Sequence, residues 1–204
     1  MIQQNIMKNS VKMAMLLLAA VICLAATQTL MAQTTYKLAP GQDVSIKLTG
    51  TSNIHDWAML STTMESTGDF GTKGNALTSL KNFTFQVAVK SLKSEHASLD
   101  KRMYADVKEA KYPTINYKLT SATIRPAAGG KFLIASKGDL TIAGSTQPIS
   151  MDVLATVNDS GSITCTGTKK IQLTDYGIKP PSYVMGTMKV RNDLTIQFNL
   201  TYKK

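Results

Sequence analysis

Side chains able to do chemistry are few in this chain, and they gather in one stretch. TSNIHDWA, Thr51–Ala58, holds the only tryptophan and one of the two histidines, with Asp56 between them. A histidine beside a carboxylate is raw material for acid–base catalysis or for a metal site. In an extended backbone, however, alternation puts His55 and Trp57 on one face and Asp56 on the other. The second histidine, His96, has Glu95 and Asp100 near it but lies far along the chain. No His-x-x-x-His or Cys-x-x-Cys spacing occurs, so no metal site is expected. There is no Gly-x-Ser-x-Gly elbow, and GTKG and AGGK lack the Gly-Lys-Ser/Thr ending of a phosphate loop. No nucleophile–base–orienter set can be assembled. The expectation is a protein without catalytic residues, metal or cofactor.

The start of the chain reads as an address. Lys8 and Lys12 precede an apolar run from Met13 to Ala26, with no acid among the first 32 residues. That run is shorter than the about 20 residues a membrane span needs. It has the pattern of a secretory signal peptide, with cleavage expected after Ala32 or, alternatively, Ala26. Bulky Ile22 before Cys23 argues against a lipoprotein signal. Residues 1–32 are therefore set aside as a cleaved leader and 33–204 as one domain, exported to the periplasm or secreted. Cys165 is then the sole cysteine, so no internal disulfide can form and stability must come from a core. Within SITCTGT it reads as a buried thiol.

The formal charge is +10, or +8 without Lys8 and Lys12. The basic residues are dispersed, with never more than two adjacent, and no nucleic-acid-binding pattern accompanies them. A solvated basic surface is expected, with at most weak attraction to an anionic membrane surface.

The elements that must position any site are mostly strands. Val44, Ile46 and Leu48 alternate with polar residues, as do Phe83, Phe85, Val87 and Val89, then Ile115, Tyr117 and Leu119. The clearest run is Leu194, Ile196, Phe198, Leu200 and Tyr202. Weaker strands are expected at Phe132–Ser136, Asp139–Ile142, Ile149–Val157, Ile163–Thr168 and Ile171–Leu173. PGQD, GTKGN, PAAGGK, AGSTQP and NDSGS supply turns between them. One segment breaks the period: Leu99, Met103 and Val107 recur at four-residue spacing. A short amphipathic helix is expected there, capped by Ser98, with Asp100 in its first turn and Lys108 and Lys111 in its last. DYGIKPPSYVMG, Asp175–Gly186, is expected as an ordered rim loop, because Pro180–Pro181 cannot donate to a ladder. Its Ile178, Tyr183, Val184 and Met185 form either a lid or a packed plug. The whole predicts an all-β antiparallel sandwich or barrel of about eight strands with one helix laid against it. Inward positions are apolar, and periodicity alone allows either a cavity or a filled core.

Four stretches, taken together, carry a resemblance. They are FTFQVAVKSLKSEHASLDKRMYADVKEAKYPTINYKLTSA, KGDLTIAGSTQPISMDV, DYGIKPP followed by RNDLTIQFNL, and TSNIHDWAMLSTTMESTGDF. In order and spacing the chain resembles the YceI-like family from about Tyr36 to Tyr202. It departs at Ser145 and at His55-Asp56-Trp57, where the family pattern has a hydrophobic residue and His-x-Gly. The resemblance implies an eight-stranded, lipocalin-like antiparallel barrel holding a polyisoprenoid, quinone or similar lipid, and no enzyme. The expected lining is Phe83, Phe85, Val87, Tyr117, Leu119, Phe198 and Leu200, with Leu99, Met103 and Val107 from the helix. His55, Trp57, Tyr183 and Met185 are the expected mouth or headgroup residues. The alternative is a filled barrel that serves the envelope as a structural, interaction or stress-related module without a ligand.

Overall fold

A computed structural model describes residues 34–41, 44–183 and 185–204. The expected leader with its two cleavage points, and Val184, lie outside them. The elements run β1 (Thr34–Leu38), β2 (Ser45–Ser52), β3 (Asp56–Ser61), β4 (Glu65–Lys73), β5 (Ala76–Ala88), α1 (Ala97–Asp106) and β6 (Thr114–Pro126). Then follow β7 (Phe132–Ile142), β8 (Ser145–Val157), β9 (Ile163–Gln172), β10 (Ser182–Tyr183) and β11 (Met188–Lys203).

Pairing closes the sheet into the expected ring of eight strands, ordered β1-β4-β5-β6-β7-β8-β9-β11. Closure falls on β1, which pairs with β4 along Thr34–Lys37 and with β11 at Lys37 and Leu38. The same edge of β11 is taken further along by β2, from Ser45↔Asn199 to Ser52↔Val190, and β3 folds back on β2. β11 can serve these partners because it is 16 residues long and alternates throughout, burying Leu194, Ile196, Leu200 and Tyr202. The register gathers the β4–β5, β6–β7 and β8–β9 hairpins at one end, and the β2–β3 and β7–β8 turns, α1 and the 177–187 loop at the other.

Aromatic side chains cluster toward the hairpin end. Phe70 lies 5.4 Å from Tyr36 and 5.3 Å from Tyr202 between ring centres, and Phe83 lies 5.8 Å from Tyr202 and 6.2 Å from Tyr117. Such pairs contribute about 0.5–1.5 kcal/mol each beyond their burial. The buried Tyr202 hydroxyl meets Ser66 Oγ at 2.9 Å, and Ser66 donates to the Thr84 carbonyl at 2.6 Å. Burial raises the Tyr202 phenol well above the ordinary range.

At the helix the structure corrects two expectations. His96, not Ser98, occupies the cap position, and without a side-chain bond to the helix. The entering chain is held instead by buried Asp100, which accepts from the Ser94 N–H and Ser94 Oγ, both at 2.7 Å. The helix also stops at Asp106, so Lys108 and Lys111 belong to a following turn. Lys108 has φ +54°, outside helical geometry, and its carbonyl accepts from the Lys111 and Tyr112 N–H groups at 2.9 Å. Backbone bonds between Leu60 and Lys93 at 2.8 and 2.9 Å fasten β3 to the segment leading into α1.

Candidate functional site

The ring encloses a narrow cavity of about 170 Å³, open at its mouth. The wall is apolar apart from Asp106, Ser136, Lys169, four tyrosine hydroxyls and the Trp57 indole nitrogen. Phe83, Phe85, Val87, Tyr117, Leu119, Phe198 and Leu200 all stand on this wall, with Leu99 and Met103 of α1 and Val107 just after it. Trp57 and Tyr183 join them. His55 and Met185 do not: both are exposed, His55 before β3 and Met185 in the turn before β11. Sequence reading passed over the contributions of β7, β8 and β9, among them Ile134, Leu140, Ile149, Met151 and Ile171. Their alternation was available as a signal. The two strands expected at 132–136 and 139–142 are one, as are those at 163–168 and 171–173.

Aromatic rings on the wall are seated on glycines of neighbouring strands. A Cβ at Gly50 would lie 2.3 Å from the Trp57 ring, at Gly68 2.8 Å from Phe83, at Gly138 2.5 Å from the Tyr117 hydroxyl, and at Gly167 2.4 Å from Phe198. Each ring occupies the place of a missing side chain, so it lies against the sheet and leaves the axis clear. Glycine within a strand often marks such a close approach. The rings are therefore wall and not plug.

TSNIHDWA is a corner. Ser52 Oγ donates to the His55 carbonyl at 2.9 Å and accepts from the Ile54 and His55 N–H groups at 3.1 Å. Asn53 crosses to the start of β11, donating to the Thr187 carbonyl at 2.8 Å and accepting from the Lys189 N–H at 2.6 Å. The turn thus sets Trp57 on the wall, one residue after Asp56 on the opposite face. The Trp57 Nε1–H is buried and has no acceptor among the described residues.

At the α1 end, the Tyr183 hydroxyl donates to Asp106, and Arg102 stacks over the Tyr183 ring with 4.8 Å to its centre. These contacts tie the helix to the rim loop. Burial raises the Asp106 carboxyl against the lowering effect of Tyr183, and burial followed by the Asp106 contact raises the Tyr183 phenol. In the segment expected as a rim loop, Tyr176 and Ile178 are buried on the wall, as is Leu173 just before it, and Ser182–Tyr183 pairs with β11 as β10. Burial pushes the Tyr117 phenol up, with adjacent Ser136 opposing it. Cys165 is a buried thiol pushed up to about 12 by desolvation, which removes it as a nucleophile. No group of three or more His, Cys, Asp or Glu residues converges among the described residues.

One part of the ring is joined differently. The β8–β9 ladder runs from Val157↔Ile163 to Val153↔Gly167, although β8 continues to Ser145 against β7 and β9 to Gln172 against β11. Across this seam the Lys169 ammonium donates to the Ser150 carbonyl at 2.8 Å and Gln147 donates to the Asp175 carbonyl at 2.7 Å. Pro148, which has no N–H for a ladder, lies in this part of β8.

Comparison with known proteins agrees with this architecture. A crystal structure of Burkholderia cenocepacia BcnA matches with a TM-score of 0.63 at 17% identity, covering 80% of this chain and 98% of that one. A polyisoprenoid binding domain from Saccharophagus degradans, implicated in plant cell wall breakdown, matches with 0.63 at 13%, covering 84% and 99%. The Campylobacter jejuni YCEI protein matches with 0.52 at 17%, covering 68% and 81%. No curated protein sequence matches. The sequence profile of the YceI-like domain matches residues 35–202, nearly the whole described chain. The chain belongs to the YceI-like family.

Proposed function

We propose that this protein carries one long-chain apolar molecule, a polyisoprenoid, quinone or similar lipid, non-covalently and without chemical turnover. The observation that carries the reading is the apolar cavity that runs from an aromatic floor to the α1 end, its rings held back against the wall by glycines. The fold shared with a polyisoprenoid binding domain supports it. Burial supplies about 0.8 kcal/mol per CH₂ before ordering costs are subtracted.

The carrier acts in the cell envelope or outside the cell, a placement supported by the leader pattern in residues 1–32. N-terminal sequencing of protein recovered from the envelope fraction should begin at Gln33 or Thr27; an intact Met1 would contradict export by this route. For the lumen, titration with prenyl compounds of increasing length should give affinity that rises with each unit and then levels off. Affinity independent of chain length would contradict burial of the chain.

A further inference from the structure

We propose that the polar end of the carried molecule is a hydrogen-bond acceptor, held between Trp57 and Lys169 in the part of the lumen near α1. The inference rests on the carrier reading above and adds the chemistry and position of the headgroup.

The polar groups of the wall are unequally committed. Ser136 donates to the Met151 carbonyl at 2.9 Å, and Asp106 accepts from Tyr183. The Tyr202 hydroxyl has Ser66. Two donors remain. The Trp57 indole N–H is sealed from water with no acceptor, and indole can only donate. The Lys169 ammonium donates to the Ser150 carbonyl, and an ammonium has three N–H groups. Lys169 is half-buried on the inward face of β9, in the sequence of inward positions Cys165, Gly167, Lys169, Ile171. An inward lysine among apolar neighbours is an uncommon choice for a wall with no polar guest.

The register puts both donors in the α1 half of the ring. Trp57 faces Gly50, Gly50 faces Leu194, and Leu194 faces Ile171, so Trp57 and Ile171 share one cross-strand row through β3, β2, β11 and β9. Lys169 is the next inward residue on β9. Gly50 fixes the indole in its seat, which orients the N–H in advance of binding. Toward the hairpin end the lining is aromatic and aliphatic, with Phe70, Leu80 and Ile134, and the Tyr202 hydroxyl there is already held by Ser66, so the tail points to the floor and the head toward α1. A molecule bearing a carbonyl or phosphate oxygen satisfies both donors; a hydrocarbon leaves the indole N–H unpaired, which is costly in a dry site.

Three probes of equal chain length separate the sources of that oxygen: a prenylquinone, a prenyl phosphate and an oxygen-free prenyl hydrocarbon. Trp57→Phe keeps the ring and Lys169→Met keeps the stem. Each should weaken the oxygenated probes about three- to tenfold more than the hydrocarbon, as one hydrogen bond is worth. A larger effect of Lys169→Met on the phosphate identifies an anionic head, and equal effects on both oxygenated probes a neutral one. Independently of any variant, the single indole N–H resonance of the unaltered protein should move downfield with oxygenated probes and not with the hydrocarbon. Equal weakening of all three probes, or an indole resonance indifferent to the oxygen, overturns the headgroup assignment while leaving the carrier reading intact. Failure of every probe to bind the unaltered protein overturns both.

Discussion

Gly167→Ala separates an open lumen from a filled one. The new Cβ would lie 2.4 Å from Phe198 Cζ and 3.0 and 3.1 Å from its Cε atoms, so the ring must retreat by more than an ångström. Ordinary carbon contacts need about 3.5–4.0 Å. Retreat can only be inward, because the ring lies between the sheet and the lumen. Removing a glycine from a strand gains about 0.5–1 kcal/mol. In a filled core the displaced ring would cost about 1–3 kcal/mol or more. With an open lumen the two effects nearly cancel, and urea denaturation should show a change within about 1 kcal/mol at unchanged m. The displaced ring then occupies the channel, so uptake of an apolar fluorescent probe should fall, and Gly167→Ala combined with Phe198→Leu should restore it. A loss clearly above about 1 kcal/mol, relieved by Phe198→Leu, would refute the open lumen.

Further outcomes follow from the floor, the rim and the thiol. Tyr202→Phe should cost about 1 kcal/mol, since Ser66 keeps its bond to Thr84, whereas Tyr202→Ala should cost about 3–5 kcal/mol, both read by chemical denaturation. Asp106 is raised in the fold above the ordinary 3.8, so the folded chain holds its proton longer than the unfolded one. Its contribution to stability should fall as pH rises from 3.8 through the raised value and then level off. Asp106→Asn should remove that fall in thermal unfolding scans, and an unchanged pH slope would contradict it. Peptide mapping after treatment with iodoacetamide near pH 8 should find Cys165 unmodified in the folded protein and fully alkylated once unfolded.

The fold was legible where strands alternate cleanly and illegible where they do not need to. β11, β5 and β6 announce themselves because each buries one face of large apolar residues. β4 does not: its inward positions are Ser66, Gly68 and Phe70, of which Ser66 serves Tyr202 and Gly68 seats Phe83. A strand so used looks polar in sequence. Likewise β3, with Trp57, Met59 and Ser61 inward, read as a corner with rare residues. Every residue expected on the lining from β5, α1, β6 and β11 stands on the cavity wall, because period fixes the face a residue takes. What period cannot give is which side chain meets which across strands. The seating of Phe198 on its register partner Gly167, or of Tyr117 on Gly138, the partner of Leu119, depends on register between distant segments. The helix cap failed for a similar reason: Asp100 is consumed by Ser94 ahead of the helix, a bond no local capping rule includes.

The central claim is that the lumen is occupied by a long-chain molecule. Native mass spectrometry of protein purified without detergent, followed by solvent extraction of the same sample, tests it most directly. The account predicts a single added mass in about one-to-one ratio, released as a long-chain lipid bearing an oxygenated end. A bare polypeptide mass that stays bare after incubation with prenylquinones and prenyl phosphates would contradict it.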